Sequence, residues 1–201
     1  MVPQNNKVLA LSGGVGGAKL ALGLAHCLPA DQLTIVANTA DDFEHLGMSI
    51  SPDLDTVMYT LAGLNDTERG WGLAGETWQG LAALEQLGGD TWFQLGDKDM
   101  ATHLLRSLWL SQGKTLSQIT TQLCQRLGED IHLLPMTDDP VRTIIETGEG
   151  DLAFQHYFVR ERCIPAVTGF RFEGIEAAQP QSEFITLLRS DALAATVICP
   201  S

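Results

Sequence analysis

The sequence predicts an α/β fold, with a parallel sheet, flanking helices and an appended β-hairpin. The first observation is a βαβ unit: an apolar strand over residues 7–11, a glycine-rich turn, a helical segment over 19–28 and a β-branched strand over 33–37. Such units join parallel strands through right-handed crossovers. The second observation is that strand-like and helical segments keep alternating along the chain. The third is a pair of β-rich runs joined by residues 148–151, which predicts a hairpin around 141–160.

Caps, apolar spacing and stop signals predict the remaining elements in order. Ser51 and Pro52 favour a helix start, because Ser can cap a helix and Pro suits the first helical position, and Gly63 ends that helix. Thr115 and Gln118 have the spacing of a capping box. Beyond residue 37, the predicted helices cover residues 52–63, 76–87, 99–110, 115–127 and 182–190. The predicted strands outside the hairpin cover residues 92–95, 131–136 and 194–199.

Composition and charge exclude several classes of function. The chain has 201 residues, enough for a single domain over 1–201, and its 12 Lys and Arg against 25 Asp and Glu give a net charge of −13. Such a surface repels polyanions, so we expect neither nucleic acid nor an anionic membrane as a partner. No apolar run reaches the roughly 18 residues of a membrane helix, and the first residues lack the apolar core of a signal peptide. We therefore expect a cytoplasmic protein.

Four glycines, Gly13, Gly14, Gly16 and Gly17, lie between the first strand and the first helix. Backbone N–H groups and the positive end of a helix dipole can approach a phosphate closely at such a turn. The sequence fulfils neither the P-loop pattern nor the full dinucleotide-binding pattern. The alternative is a turn that only lets the helix pack closely on the sheet. We favour phosphate or nucleotide binding by these four glycines.

Acidic residues follow the second strand and begin the next helix. Asp41 and Asp42 lie where ligands bind in open parallel sheets, at the carboxyl end of a strand, and Asp53 and Asp55 lie in the first helical turn. Carboxylates from adjacent strand ends suit a hard divalent cation. For Asp53 alone, a favourable interaction with the helix dipole is the better interpretation. For Asp42 and Asp55 together we predict a site for a metal ion or a hydroxyl group.

A lysine between two acids follows the strand predicted at 92–95. Lys98 stands between Asp97 and Asp99, where it can hold a ligand oxygen, although Asp99 could equally serve only as a helix cap. Asp138 and Asp139 repeat the pattern of acids at a strand end, and for them a plain turn and a functional role are equally favoured.

These motifs, taken in order, resemble the 2-phospho-L-lactate transferase family of coenzyme F420 biosynthesis. They are SGGVGGAK (12–19), NTADD (38–42), SPDLDTVMYTLAG (51–63), RGWG (69–72), LGDKDMATHLLRS (95–107), PMTDDP (135–140), FQHYFVR (154–160) and the final ICPS. The resemblance implies a Rossmann-like core and a transferase that uses Mg²⁺. It also implies transfer of a phospholactyl or phosphoenolpyruvyl group from a guanosine-diphosphate-activated donor to the deazaflavin Fo, with release of GMP, by a homodimer.

The resemblance also implies roles for particular residues. Asp55 and Lys98 are similar to the family's Fo contacts, and Asp42 with Asp55 resembles its metal-binding pair, which makes these two acids the catalytic candidates. Whether Asp55 binds the metal or accepts the hydroxyl proton stays open, as does the choice of a lactyl, enolpyruvyl or glyceryl donor. Family members continue for about another third of their length, so we expect a C-terminal part to be lacking. The alternative function is a non-catalytic regulator that binds a nucleotide or phosphometabolite on the same fold.

Overall fold

The protein is described by a computed structural model that covers residues 6–128, 130 and 132–200. The strands are β1 (Lys7–Ser12), β2 (Leu33–Ala37), β3 (Phe43–His45), β4 (Met48–Ile50), β5 (His132–Pro135), β6 (Arg142–Thr147), β7 (Gly150–Ala153), β8 (Val167–Glu173) and β9 (Leu193–Ile198). The α-helices are α1 (Gly14–Cys27), α2 (Pro52–Leu61), α3 (Gln79–Gln86), α4 (Asp97–Ser111), α5 (Leu116–Arg126) and α6 (Ser182–Leu188). Short 3₁₀ and π turns lie at Ala30–Gln32 and His156–Arg160.

The central sheet is parallel and has the strand order β5-β2-β1-β9. Alternate residues of its inner strands face opposite helical layers. Ala10 and Ile35 pack with α1, α2 and α5, whereas Leu9 and Val36 pack with Phe184 of α6. Because both faces are covered, β2 is buried along its whole length. The predicted α/β fold with a parallel sheet and flanking helices is thus confirmed.

The appended hairpin is confirmed as β6 and β7, which pair antiparallel. The structure adds a third strand, β8, on the other edge of β6, which the sequence reading missed. The second predicted run is a strand only as far as Ala153, and its continuation forms the π turn. A hydrogen bond from the amide of Thr143 to the carbonyl of Ala40 joins this small sheet to the loop after β2. The small sheet therefore lies against the carboxyl edge of the central sheet.

The strand predicted at 92–95 is wrong, because these residues form a loop. Their apolar side chains are nevertheless packed: Leu95 is fully buried against the hairpin of β3 and β4, and Trp92 and Phe93 contact the ring of Phe43. Burial of side chains produced the apolar signal without a strand ladder. The β3–β4 hairpin itself was not predicted.

Other boundaries agree closely. The capping box of Thr115 and Gln118 is formed at the start of α5, and the predicted strands at 131–136 and 194–199 correspond to β5 and β9, with residue 131 outside the described residues. Within the described ranges, no helix combines the length and apolar character that crossing a membrane would require.

Candidate functional site

The ends of β1 and β2 meet the first turns of α1 and α2 at the carboxyl edge of the central sheet. Asp53 of α2 joins them: its Oδ1 accepts a hydrogen bond from the amide of Gly14 (2.7 Å), and its Oδ2 accepts one from the side-chain amide of Asn38 (2.7 Å). The glycine loop, the segment after β2 and the start of α2 therefore form one site, as parallel strand ends predict.

Asp42 lies buried in this site with one oxygen held and one oxygen free. Ser51 Oγ donates to Asp42 Oδ2 at 2.7 Å, so Ser51 does not cap α2 with its side chain, contrary to the sequence prediction. Oδ1 is buried and has no hydrogen-bond partner among the described residues. Burial raises the pKa of Asp42 to about 8, and the hydrogen bond from Ser51 and the nearby charge of Arg106 offset only part of this rise.

Asp55 is paired with a buried arginine from α4. Arg106 Nη1 donates to Asp55 Oδ2 at 3.0 Å, and Arg106 Nη2 donates to Asp55 Oδ1 in a two-pronged ion pair. Arg106 is only 2% exposed. Burial alone would lower the pKa of Arg106, but the Asp55 carboxylate beside it raises that pKa above its ordinary value. The carboxylate of Asp55 is therefore charge-compensated within the protein.

His103 and Asp99 extend this ion pair along α4. His103 Nδ1 lies 3.2 Å from Arg106 Nη1, and His103 Nε2 lies 3.3 Å from Asp99 Oδ2. The hydroxyl of Tyr59 donates to Asp99 Oδ1 at 2.7 Å. Asp99 is not the helix cap, because α4 begins at Asp97 with Gly96 as its N-cap. One ligand atom each from Asp55, Asp99 and His103 lie within 4.8 Å of one another. We call Asp55, Asp99, His103 and Arg106 the buried charge cluster.

Sequence reasoning missed His103 and Arg106, although a signal for them was present. Residues 99, 103 and 106 follow one another at helical spacings of four and three, so they share one face of α4. This face of α4 has apolar neighbours and carries three ionisable side chains, and the start of α2 carries acids. Together these features would have indicated a buried ion-pair network.

Lys98 lies apart from the buried charge cluster, on the exposed surface at the start of α4. Its Nζ donates to the carbonyl of Ala74 at 2.9 Å. Glu76 accepts hydrogen bonds from the amides of Lys98 and Asp99, while Asp97 accepts hydrogen bonds from the amides of Gln79 and Gly80 at the start of α3. Glu76 thus caps the start of α4, and Asp97 caps the start of α3. The bonds to Asp97 explain why α3 begins at residue 79 rather than 76.

The predicted start of the first helix at residue 19 is wrong, because α1 begins at Gly14 with Gly13 as its N-cap. Gly14, Gly16 and Gly17 therefore lie in the first turn of α1, and each meets a different local requirement. Gly14 has a φ of +56°, a left-handed conformation that favours glycine. A Cβ added at Gly17 would lie 2.6 Å from Ser12 Oγ and 3.0 Å from the carbonyl oxygen of Pro200. At Gly16 the nearest atom would be 3.4 Å away, which is an ordinary contact. Close helix packing therefore accounts for Gly17, as the alternative interpretation of the loop requires.

A cavity of about 250 Å³ opens beside Asp42, between the loop after β2 and the small antiparallel sheet. Its lining combines acids, one arginine and apolar surface: Ala40, Asp41, Asp42, Phe43, Glu44, Arg142, Thr143, Ile144, Ala153, Phe154, Gln155, His156 and Glu173. This mixture suits a small ligand with both hydroxyl groups and apolar parts. Asp138 and Asp139 do not line it. They bind Ser117 and the amide of Gln179, which assigns both to turn structure.

The residues at this edge fit a divalent cation. Asp42 Oδ1 is a buried carboxylate oxygen without a protein partner, and such an atom offers unused lone pairs to a hard ion. A separate group that could hold a metal ion consists of one ligand atom each from Asp55, Asp99 and His103, and Asp42 is not a member of it. In this protein, Arg106 already occupies both oxygens of Asp55.

Comparisons with known proteins agree with this architecture. The family model of 2-phospho-L-lactate transferase CofD matches residues 8–201. A phosphoenolpyruvate transferase of Kitasatospora aureofaciens is 43% identical over 180 residues, which are 87% of this chain and 56% of that protein. A 2-phospho-L-lactate transferase of Methanococcoides burtonii is 41% identical over 184 residues, which are 92% of this chain and 60% of that protein. The chain thus spans little more than half the length of these relatives.

A solved structure shares the fold. Protein BH3568 of Bacillus halodurans, a member of the upf0052 family, superposes with a TM-score of 0.55 at 16% sequence identity over 90% of this chain and 55% of that chain. A second crystal structure of BH3568 gives a TM-score of 0.53.

Proposed function

The chain belongs to the 2-phospho-L-lactate transferase family, and on this premise we propose that the protein transfers a phospholactyl or phosphoenolpyruvyl group in F420 biosynthesis. In this proposal the donor is activated as a guanosine diphosphate derivative, the acceptor is the terminal ribityl hydroxyl of Fo, and GMP is released. The observation that carries the proposal is a buried acid, Asp42, which lines a cavity after β2, together with the buried acid Asp55 in the first turn of α2.

The proposed reaction needs alignment and charge neutralisation more than a covalent nucleophile. The hydroxyl oxygen forms a bond to the phosphorus of the donor, the bond from that phosphorus to the oxygen of GMP breaks, and the hydroxyl proton is taken up by a base. Asp42 and Asp55 are the residues proposed to hold Mg²⁺. When bound, Mg²⁺ would neutralise the negative charge that develops on the phosphoryl oxygens.

Asp55 has a second possible task in this proposal, as the acceptor of the hydroxyl proton. A carboxylate held by two guanidinium N–H groups keeps a fixed orientation, which supports either role. Asp55 and Lys98 are proposed to contact Fo, and the exposed position of Lys98 supports its part in this contact.

The glycine loop is proposed to receive the phosphates of the donor. The position of Gly14 at the N-terminus of α1 supports this assignment, because backbone amides there can bind a phosphate. A phosphate would have to replace the carboxylate oxygen of Asp53 that now accepts from the amide of Gly14. We further propose a cytoplasmic homodimer, on the basis of the family resemblance alone.

A mass-spectrometric assay tests the proposed function. The protein is incubated with Fo, Mg²⁺ and a panel of guanylylated phospholactyl, phosphoenolpyruvyl and phosphoglyceryl donors, and the products are identified by mass. We expect GMP together with one phosphodiester adduct of Fo. Absence of an adduct with every donor would overturn the proposal, and GDP binding without turnover would favour the non-catalytic regulator instead.

A further inference from the structure

Arg106 is the positive charge within a site proposed to bind a positive ion. Its guanidinium contacts both oxygens of Asp55, and the residue is only 2% exposed. The proposed transfer reaction assigns no task to this arginine. Burial of an arginine has a large desolvation free energy, which only well-placed hydrogen-bond and ion-pair partners offset.

The partners of Arg106 identify Asp55 as its main anchor and include two contacts that do not involve Asp55. Besides the two contacts with Asp55, Nη1 lies 3.4 Å from the carbonyl oxygen of Ser49 and 3.2 Å from His103 Nδ1. Nε has no hydrogen-bond partner in the described part of the chain. The guanidinium therefore keeps contacts that do not involve Asp55, so it can loosen its hold on that carboxylate without losing all its partners.

A divalent cation and a guanidinium on one carboxylate repel each other. In a buried site this repulsion is screened far less than in water, so both cannot hold Asp55 at full strength. Asp42 Oδ1, by contrast, has no cation in contact with it and no protein donor among the described residues. A metal ion that enters on Asp42 would then meet Asp55 with its charge already compensated.

We propose that Arg106 is the resident counter-ion of Asp55 and competes with a divalent cation for that carboxylate, so that Arg106 sets the affinity of the site for the metal. This inference rests on the proposed function, since it takes Asp55 to be a metal ligand. It makes Arg106 a positioning residue: it holds Asp55 in place while the metal is absent and yields the carboxylate when the metal binds.

Binding of Mn²⁺ to the chelator-treated full chain tests the proposal, with free Mn²⁺ measured by electron paramagnetic resonance. We expect Arg106→Gln to bind Mn²⁺ at least about 10-fold more tightly than wild type, because the competing charge is gone. Arg106→Lys keeps a charge and should stay within about 3-fold of wild type. In the double variant Asp55→Asn/Arg106→Gln the gain over Asp55→Asn should vanish, because the contested carboxylate is absent.

Unchanged or weaker Mn²⁺ binding by a folded Arg106→Gln variant would overturn the proposal, as would absence of Mn²⁺ binding by wild type. A purely structural arginine would lower the affinity when removed, not raise it. If Arg106→Gln does not fold, a second measurement on wild type tests the proposal: the ¹H–¹⁵N NMR signals of its arginine side chains. The Nε–H signal of Arg106 is identified as the one that is missing in Arg106→Lys. This signal should shift on addition of Mg²⁺, and a signal that stays in place would overturn the proposal. None of these measurements needs Fo or a donor, so they stand apart from failure of the proposed transfer reaction.

Discussion

Asp53 and Asp55 stand two residues apart on the first turn of α2 and have opposite kinds of partner. Asp53 is held by neutral donors on the side of the glycine loop, the amide of Gly14 and the side-chain amide of Asn38. Asp55 is held by a full cation, Arg106, on the side of α4. Burial raises the pKa of Asp53 despite its two hydrogen bonds. Each side of α2 therefore contains an internal group with the charge of the ligand proposed for it: a carboxylate where phosphate would bind and a guanidinium where a metal ion would bind.

The largest expected effect comes from removing the charge of Asp55. We expect Asp55→Asn to lower kcat by about 10²- to 10⁴-fold, because the variant loses both a metal ligand and a proton acceptor. Asp53→Asn is the matched comparison two residues away. It keeps one acceptor oxygen for its two N–H donors and has no proposed metal or proton to bind, so we expect a smaller loss of kcat than in Asp55→Asn. Steady-state kinetics of Fo conversion, with folding checked by circular dichroism, provide the test. Equal losses in both variants would remove the distinction between the two sides of α2.

Replacing Lys98 tests the α4 side for acceptor binding. Lys98→Ala should weaken Fo binding by about 1.5–3 kcal/mol, the contribution of one charge-assisted hydrogen bond, and should leave GDP affinity unchanged. Titration calorimetry with each ligand measures both. Loss of GDP affinity with Fo binding retained would reverse the assignment of the two sides.

Substitutions in the glycine loop test the other side. Gly17→Ala should destabilise the fold by about 1–3 kcal/mol, because the new Cβ would lie 2.6 Å from Ser12 Oγ and 3.0 Å from the Pro200 carbonyl oxygen. Gly16→Ala is the control: it has room, and it should be neutral or stabilising by up to about 1 kcal/mol through helix propensity. Urea unfolding measures both. If the two variants lose equal stability, close packing at Gly17 is not what the loop requires.

The most gradual effect is the pH dependence that Asp42 gives to the metal-free protein. Burial raises the pKa of Asp42 from 3.8 to about 8, so the folded state keeps a proton that the unfolded chain has released. The corresponding stability is fully present below pH 3.8 and is lost as pH rises towards 8, by at most about 1.4 kcal/mol per pH unit. Urea unfolding in the presence of chelator, from pH 5 to 8, should show a fall for wild type that is shallower for Asp42→Asn. Parallel curves for the two proteins would contradict this assignment.

The sequence predicted those parts of the fold whose signals are local. The βαβ unit, the α5 capping box and the β6–β7 hairpin depend on spacings of a few residues, and all three are confirmed. Strand β8 was not predicted because Gly169 interrupts its pattern and its pairing residues in β6 lie 20 to 31 residues earlier. The segment 92–95 was misread because apolar burial against a hairpin looks the same in sequence as a buried strand.

In the candidate site, too, residues with local sequence signals were predicted and residues with distant partners were missed. Asp42 and Asp55 were predicted as candidates because they follow a strand and begin a helix, positions that sequence patterns identify, and both are buried in the structure. Arg106 was missed because its partner Asp55 lies 51 residues away, and an arginine in an amphipathic helix is ordinarily taken for a solvent-exposed residue. The role of Ser51 was misjudged for the same reason. Helix capping is predicted from neighbouring residues, whereas the Ser51 hydroxyl instead donates to Asp42, which no local pattern indicates.

The mutual capping of α3 and α4 has a consequence for motion. Lys98 is tied to the preceding loop twice, through its amide to Glu76 and through its amine to the carbonyl of Ala74, and Asp97 ties the start of α4 to the start of α3. A ligand that draws the lysine amine away from Ala74 therefore releases one of these ties and loosens the loop. Amide hydrogen exchange over residues 74–80 should then accelerate when Fo binds, although no contact between this segment and Fo is proposed.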